Sequence, residues 1–127
     1  MDLNTLGITV CFTLVLTVLV YSLIVRPVVK RRKEEGLREL ELRVKMGGGL
    51  EMISIFLELA DAYSGLGRHN EAESTMRKAL TLAENEFGKK NPGLIPILKQ
   101  YAGILAGMNR QVEAENLLKR AREIKKS

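Results

Sequence analysis

The feature that most constrains this chain is an uncharged apolar stretch near its N-terminus. None of the twenty residues from Leu6 to Val25 carries a charge. Because a helix rises about 1.5 Å per residue, such a stretch spans roughly the 30 Å hydrocarbon core of a bilayer. Soluble globular domains rarely contain a run of this kind, so the sequence predicts a helix that crosses a membrane.

The residues that flank this stretch predict its direction. Asp2 precedes it, whereas a secretory signal peptide has a basic start, a shorter apolar run and a small-residue cleavage site. An excess of Lys and Arg directly after the stretch places the C-terminal side in the cytoplasm and the N-terminus outside. We expect an uncleaved anchor over residues 1–27, which ends or kinks at Pro27. The residues expected to contact lipid headgroups are Arg26, Lys30, Arg31, Arg32 and Lys33.

Hydroxyl and small side chains recur at helical spacing along the predicted span. Such residues allow membrane helices to approach each other closely and to bond across the contact. Threonine hydroxyls also bond to carbonyls of their own helix, which needs no partner, so both interpretations stay open. The candidate helix–helix interface consists of Thr5, Thr9, Thr13, Thr17, Tyr21, Gly7 and Cys11.

Composition argues against several classes of function. One cysteine, Cys11, cannot form an internal disulfide, and the single histidine, His69, has no ligand partners for a metal site. Because no arrangement of nucleophile and base can be recognised, we expect neither an enzyme nor a cofactor. The basic cluster lacks the aromatic residues or reader motif of a nucleic-acid-binding protein, so we expect membrane lipid and no nucleic acid as its partner.

Residues 28–49 are predicted to form a basic juxtamembrane connector. Residues 26–46 contain eight Lys/Arg and four Glu, and each cation near anionic lipid contributes about 1 kcal/mol. The apolar residues of this stretch allow strand as well as helix spacing, but no second strand is evident. We therefore prefer a stalk helix with an apolar face of Leu37, Leu40 and Val44. The three glycines at 47–49 predict a flexible hinge.

The strongest pattern is an internal repeat in the C-terminal part of the chain. A shift of 42 residues superimposes similar residues without a gap. The matched pairs include Leu59-Ala60 with Tyr101-Ala102, Gly65 with Gly107, Arg68 with Arg110, Glu71-Ala72-Glu73 with Glu113-Ala114-Glu115, Met76 with Leu118, Ala79 with Ala121 and Leu82 with Ile124. Self-similarity at a fixed period is typical of stacked repeat proteins.

Each unit is predicted to form two antiparallel helices. The first helix of the first unit has one apolar face, formed by Ile53, Phe56, Leu57, Ala60 and Tyr63. The inner stripe of the second helix contains Ala72, Met76, Ala79 and Leu82, repeated as Ala114, Leu118, Ala121 and Ile124. We expect left-handed turn residues at Gly67 and Asn109, a capping box of Asn70 and Glu73, a helix end at Phe87-Gly88 and a helix start at Asn91-Pro92.

This pattern resembles the tetratricopeptide repeat. The residues that carry the resemblance are Leu59-Ala60-x-x-Tyr63-x-x-x-Gly67-Arg68-x-x-Glu71-Ala72-Glu73 and Arg77-Lys78-Ala79-Leu80. The 42-residue period and the Gly88-x-x-Asn91-Pro92 loop are similar to the longer kinesin-light-chain type. The resemblance implies a protein-binding groove lined by Leu57, Asp61, Ser64, Lys99, Gly103 and Ala106. Because Leu57 and Asp61 replace the basic residue and asparagine of chaperone-tail binders, we do not expect that ligand.

The sequence therefore predicts an all-α fold: one transmembrane helix, a basic stalk helix and an α-solenoid fragment of two tetratricopeptide-like hairpins at 50–127, with units at about 50–90 and 91–127. We expect a single-pass adaptor or scaffold that holds a protein partner at the cytoplasmic face of a membrane. The alternative is a small accessory or assembly subunit of a larger integral membrane complex. Because two units leave apolar end faces open, a partner, a second copy in a homo-oligomer or the stalk helix is expected to cover them.

Overall fold

The computed structural model describes residues 2–127, and every regular element in that range is helical. The helices are α1 (Leu3–Val20), a π-helical segment (Tyr21–Val25), α2 (Arg26–Met46), α3 (Glu51–Gly65), α4 (His69–Phe87), α5 (Leu94–Gly107) and α6 (Gln111–Lys126). The chain divides into two compact units between Glu34 and Glu35. The predicted all-α class is confirmed, and the strand spacing that the connector also allowed is not adopted.

The first unit contains an apolar helix with no buried residue. Within the described residues, one helix, Leu3–Met46, is long and apolar enough to cross a membrane, and none of its most apolar stretch is buried. Apolar side chains all around α1 are exposed, from Leu3 to Val20. The side chains of α1 therefore take no part in a hydrophobic core.

Pro27 does not end the helix, although proline is a common helix terminator. A proline inside a helix lacks an N–H group, and its ring collides with the carbonyl four residues earlier. The backbone widens just before it, where the N–H of Arg26 donates to the carbonyl of Tyr21, five residues back. Helical structure then resumes as α2. Of the two outcomes expected at Pro27, an end or a kink, the end does not occur, and a π-helical segment precedes the proline.

The second unit is built from two helical hairpins, α3 with α4 and α5 with α6, and α4 also packs against α5. Alanines at the closest approaches are completely buried, as at Ala60, Ala72 and Ala79. Their small side chains let the helix axes come near each other. Larger residues then fill the space between the hairpins, notably Met76, Leu94 and Leu98.

The turn between the two helices is the same in both hairpins. Gly67 has φ +76°, and Asn109, its equivalent 42 residues later, has φ +59° and is the only described non-glycine residue with positive φ. In both turns the arginine that follows, Arg68 or Arg110, donates its N–H to the carbonyl five residues earlier. Since asparagine tolerates this left-handed conformation, the prediction for Gly67 and Asn109 is confirmed.

Two predicted helix starts are wrong in detail. Arg68 stands at the N-cap of α4 without a side-chain bond, and Asn70 lies inside the helix, so Asn70 and Glu73 form no capping box. The helix α5 begins at Leu94 rather than at Pro92. Asn91 instead holds the loop, since its Oδ1 accepts a 2.8 Å bond from the N–H of Gly93. The helix end at Phe87-Gly88 is confirmed.

The second half of α2 belongs to the repeat unit. Leu37, the first apolar residue of the expected stalk, is only 4% exposed, and Ile55 and Leu59 of α3 are buried outside the main core cluster. The Tyr63 hydroxyl donates a 2.7 Å bond to Glu41, and Arg43 pairs with α3 carboxylates. Residues from Glu35 onward therefore form a helix packed along the outer face of α3.

The glycine run closes this helix pair as a tight turn. The N–H of Gly47 donates a 2.8 Å bond to the carbonyl of Arg43, and Gly49 adopts φ +67°. A Cβ added at Gly47 would lie 3.0 Å from that carbonyl and 3.3 Å from Cδ1 of Ile55. The segment that we expected to be a flexible hinge is therefore a turn between two packed helices. Glycine is needed at position 47 because the backbone there approaches the end of α2 and Ile55 closely.

The two end faces of the repeat unit are covered in different ways. At the first end, Ile55 and Leu59 are buried on the side of α3 that α2 contacts through Tyr63, and Ile55 lies beside Gly47 in the turn after α2. At the other end, α6 carries Arg122 and Lys125 where α4 carries Leu80 and Ala83, which α5 buries. Both charged residues are exposed, so the outer face of α6 is polar. Such a face is what a terminal helix of a repeat stack needs for solubility.

Candidate protein-binding surfaces

The predicted groove residues lie on α3 and α5, the first helices of the two hairpins. Gln100 of α5 joins the helices at this surface, since its Nε2 donates to Oδ1 of Asp61 at 2.8 Å and to the carbonyl of Leu57 at 3.2 Å. The structure therefore brings Leu57 and Asp61 against α5. Sequence reasoning missed Gln100, for which the only signal was its place beside the predicted Lys99.

The six groove residues differ in exposure. Asp61, Lys99 and Gly103 are exposed, and a Cβ added at Gly103 would meet nothing within 4 Å. The other three, Leu57, Ser64 and Ala106, are half-buried. Leu57 and Ala106 also pack against the core, so they carry structural as well as surface roles. The exposed part offers one cation, one carboxylate already bonded to an amide, and an open space at the glycine.

A cluster of charged and hydroxyl groups joins α4 to α5. Glu73 Oε1 accepts 2.6 Å bonds from the hydroxyl of Tyr101 and from Arg77, and Arg110 lies 3.8 Å away. Arg110 also donates to Glu113. Because the side chain of Glu73 is buried, these donors replace the water that the carboxylate loses.

The same contacts set the ionisation of the pair. Burial by itself raises the pKa of Glu73, but the bonds from Tyr101 and Arg77 outweigh it and hold the pKa below its ordinary value. Burial and the neighbouring carboxylate raise the pKa of Tyr101. The cluster therefore contains an ionised carboxylate and a protonated phenol at neutral pH, a pair that holds two helices together.

A related cluster joins α2 to α3. Burial first, and then the hydrogen bond to Glu41, raise the pKa of Tyr63 to about 12. The guanidinium of Arg68 lies 4.7 Å from the centre of the Tyr63 ring and is bonded to Glu71. The hydrogen bond from Arg68 is the main reason that the pKa of Glu71 is lowered. In both clusters, a carboxylate on one helix binds a tyrosine on the next.

The hydroxyl groups of the predicted span are bonded within their own helix. Thr9 donates to carbonyls of Thr5 and Leu6, and Thr13 and Thr17 each donate to the carbonyl three residues earlier. These bonds agree with the interpretation that needs no partner. Gly7 and Cys11 lie on one side of α1 and line a shallow open groove with Leu3, Asn4, Ile8, Phe12 and Val15.

The basic residues that follow the apolar stretch are exposed. Lys30 Nζ lies 4.0 Å from Glu34, one turn later on α2. All five predicted headgroup contacts, Arg26, Lys30, Arg31, Arg32 and Lys33, present their side chains to the surroundings.

The second unit has the geometry of an α-solenoid repeat. Its hairpins are antiparallel, alanines line the closest approaches of the helices, and one turn conformation recurs after 42 residues. The family model of the tetratricopeptide repeat matches residues 51–127, which is more than half of the chain. The chain therefore belongs to the tetratricopeptide repeat family, as the sequence predicted. The search of curated proteins finds no match.

Membership of this family indicates a class of function. Tetratricopeptide repeats are protein-interaction modules without catalytic chemistry of their own, so the family indicates a scaffold that binds other proteins. The fold alone does not specify a ligand, because function depends on the particular surface that a repeat presents.

Proposed function

We propose that this protein is a single-pass adaptor that is anchored in a membrane by α1 and binds a protein partner through its repeat unit. The observation that carries the proposal is an apolar helix without a buried residue in the same chain as a tetratricopeptide unit. The helix supplies a location, and the repeats supply a contact surface.

The exposure of α1 supports membrane insertion. Soluble monomers rarely expose contiguous apolar patches larger than a few hundred Å². Here large apolar side chains are exposed in succession, from Leu3 through to Val29. Lipid would cover such a surface without the need for a protein partner. The acidic residue before the stretch and the lack of an Ala-x-Ala site after it favour an anchor over a signal peptide.

The charge distribution supports an orientation with the repeats in the cytoplasm. Asp2 lies before the span, and the cluster that contains Arg31, Arg32 and Lys33 lies after it. Cations on the cytoplasmic side follow the general rule for membrane helices, and each contributes about 1 kcal/mol next to anionic lipid. The five exposed basic residues are the proposed headgroup contacts.

The groove on α3 and α5 is the proposed contact for an extended or helical protein segment. Lys99 offers a cation, Gly103 leaves room for a ligand side chain, and Asp61 offers a carboxylate. Restriction to a membrane raises the effective concentration of the two proteins, so that each contact can be weak.

A second candidate function is an accessory subunit that packs into a larger membrane complex through α1. The observation that favours it is the open groove at Gly7 and Cys11, where small side chains would allow a neighbouring helix to approach. The threonine hydroxyls add less to this candidate, because they already donate to their own backbone.

Extraction from vesicles tests the anchor. The full chain is expected to stay in vesicles after an alkaline carbonate wash, and protease added outside should cut the repeat unit when the basic side faces out. Leu14→Arg with Val15→Arg should release the protein, since arginine at the centre of a span costs about 2.5–3.5 kcal/mol. Leu42→Arg is the matched control and should stay bound. Release of the unaltered chain by carbonate would refute the anchor.

Two sets of variants separate the candidate interfaces. After mild detergent extraction, Asp61→Lys with Lys99→Glu should remove co-purifying proteins if the groove is the main contact. Gly7→Leu with Cys11→Leu, or leucine at Thr9, Thr13 and Thr17, should remove the co-purifying proteins if α1 is the main contact. If neither set changes the proteins recovered, both proposed interfaces are wrong.

A further inference from the structure

The charges of the repeat unit are distributed unevenly between the two ends of its helices. One end consists of the last turn of α4 with the loop that follows it, residues 84–90, and of the end of α6, residues 119–126. We call it the basic end. It contains seven Lys or Arg and three Glu, whereas the rest of residues 35–127 contains eight Lys or Arg and ten Asp or Glu. The net positive charge of the unit is therefore concentrated at the basic end.

Contacts made by α6 hold the two parts of the basic end together. Arg120 of α6 binds Glu84 Oε1 at 2.6 Å and donates to the carbonyl of Lys89 at 3.2 Å. An open groove of about 570 Å³ is present beside these contacts. Its lining also includes Lys90, Glu123 and Ile124. The lysines of the loop thus border a concave surface next to the end of α6.

Four lysines of the basic end are exposed and have no carboxylate to pair with. Within residues 2–127, their ammonium groups lie farther than 4.0 Å from every carboxylate: Lys89, Lys90, Lys125 and Lys126. At the opposite end, the arginine of each hairpin turn binds a glutamate three residues later, Arg68 with Glu71 and Arg110 with Glu113. Because neighbouring like charges repel each other, an acidic ligand would be favoured at the basic end over the paired one.

We propose that the basic end binds an acidic segment of a partner protein, which lies in the groove beside Lys89 and Lys90. Charge complementarity identifies the occupant, because an acidic segment supplies the carboxylates that these lysines lack. The shape favours a protein segment over a bilayer, since a chain can enter a groove and a flat layer of headgroups cannot. This inference rests on the protein-binding part of the proposed function, but uses neither the groove on α3 and α5 nor the membrane anchor.

A labelled oligoglutamate peptide is the probe, and an oligoglutamine peptide of the same length is its neutral control. The full chain in nanodiscs of zwitterionic phosphatidylcholine should raise the fluorescence anisotropy of the glutamate peptide in a saturable manner, with Kd below about 1 mM at low salt. Lys89→Glu with Lys90→Glu should weaken binding at least about tenfold, because like charges then face each other. The same change of charge in the headgroup cluster, Arg31→Glu with Arg32→Glu, should leave binding unchanged.

A second pair of lysines makes the test independent of the fold of the loop. Lys125→Glu with Lys126→Glu, at the exposed end of α6, should also weaken binding, by at least about threefold. Circular dichroism shows whether each variant stays folded, and empty nanodiscs report any peptide taken up by lipid alone. Binding that survives both pairs of changes would overturn the proposal, as would an equal loss in the Arg31 and Arg32 variant or equal binding of the glutamine peptide.

Phosphatidylserine vesicles added to the same nanodiscs test the other anionic occupant. The proposal expects no capture of vesicles that depends on Lys89 and Lys90. Capture that Lys89→Glu with Lys90→Glu abolishes would place a lipid surface at the basic end and overturn the assignment to a protein. If the glutamate peptide binds as expected while carbonate releases the chain from vesicles, the anchor fails and the basic end stands.

Discussion

The helix pairs α2–α3 and α4–α5 are joined by the same kind of polar contact but differ in their apolar contacts. In both pairs, a carboxylate of the earlier helix binds a tyrosine of the later one, Glu41 with Tyr63 at 2.7 Å and Glu73 with Tyr101 at 2.6 Å. The apolar contact differs, since Leu94 and Leu98 of α5 are fully buried, whereas Met52 and Phe56, their equivalents on α3, are half-buried. The helix α2 buries only part of the corresponding face of α3.

This difference shows that the residues that form a helical hairpin are not the residues that determine how well its outer face is buried by the preceding helix. Both hairpins follow the same pattern of alanines and turn residues, so they fold alike. Closure of the outer face depends on which residues the preceding helix presents. In α4 those residues include Ala83, which is buried, whereas α2 has Glu41 and an exposed Leu42 at the positions 42 residues earlier in the sequence.

Removal of α2 should have the largest effect on this comparison. A fragment of residues 50–127 exposes Ile55 and Leu59, and burial of one such side chain contributes about 1.5–3 kcal/mol. We expect it to self-associate and to melt more than 10 °C below a fragment of residues 35–127, since about 1 kcal/mol corresponds to about 4–8 °C in a small domain. Light scattering and circular dichroism measure both properties. If both fragments are monomers of equal stability, α2 does not cover the outer face of α3.

A charge exchange between equivalent positions should have the next largest effect. Ala83 is completely buried under α5, whereas its equivalent Lys125 on α6 is exposed. Ala83→Lys should cost about 3–5 kcal/mol, because it buries an unpaired charge, and Lys125→Ala should change stability by less than about 0.5 kcal/mol. Urea unfolding of residues 35–127 gives both values. Equal effects would mean that the two helices are covered to the same extent.

Leu37 tests the contact between α2 and α3 at one side chain. Leu37→Ala should reduce the free energy of unfolding by about 2–4 kcal/mol, because it leaves a cavity against α3. Leu42→Ala on the same helix is the matched control and should cost less than about 0.5 kcal/mol, since Leu42 is exposed. A neutral result for Leu37→Ala in urea unfolding would contradict the packing of α2.

The pH dependence of stability should distinguish Glu73 from its repeat equivalent Glu115. Because the folded-state pKa of Glu73 is lowered, its contribution is fully present above the unfolded carboxyl value of about 4.3 and is lost as the pH falls through the folded value. Glu73→Gln should therefore lower the melting temperature at pH 7, and the difference from the unaltered protein should shrink near pH 3. Glu115→Gln, at an exposed site, should match the unaltered protein at both pH values.

The hairpins themselves could be predicted from sequence. Their apolar residues follow the helical period over two full units, and Gly67, Asn109 and Gly88 occupy backbone conformations that few residues adopt. These are local properties, so a single chain reveals them. The buried alanines follow from the same periodicity.

The cover of α3 and the charged clusters could not be predicted in the same way. The apolar face of α2 consists of few residues, and Leu37 is the only one that is fully buried. Three consecutive glycines are typical of flexible linkers, although here they close a tight turn. Glu73 fits a capping-box pattern three residues after Asn70, but tertiary packing directs its carboxylate to Tyr101.

Amide hydrogen exchange on the full chain in detergent shows whether the second half of α2 is part of the repeat fold. If it is, residues 37–46 exchange as slowly as α3, because both helices open only when the unit opens. A free stalk helix would instead exchange rapidly at 37–46 while residues 51–126 stay protected. That result would contradict the account.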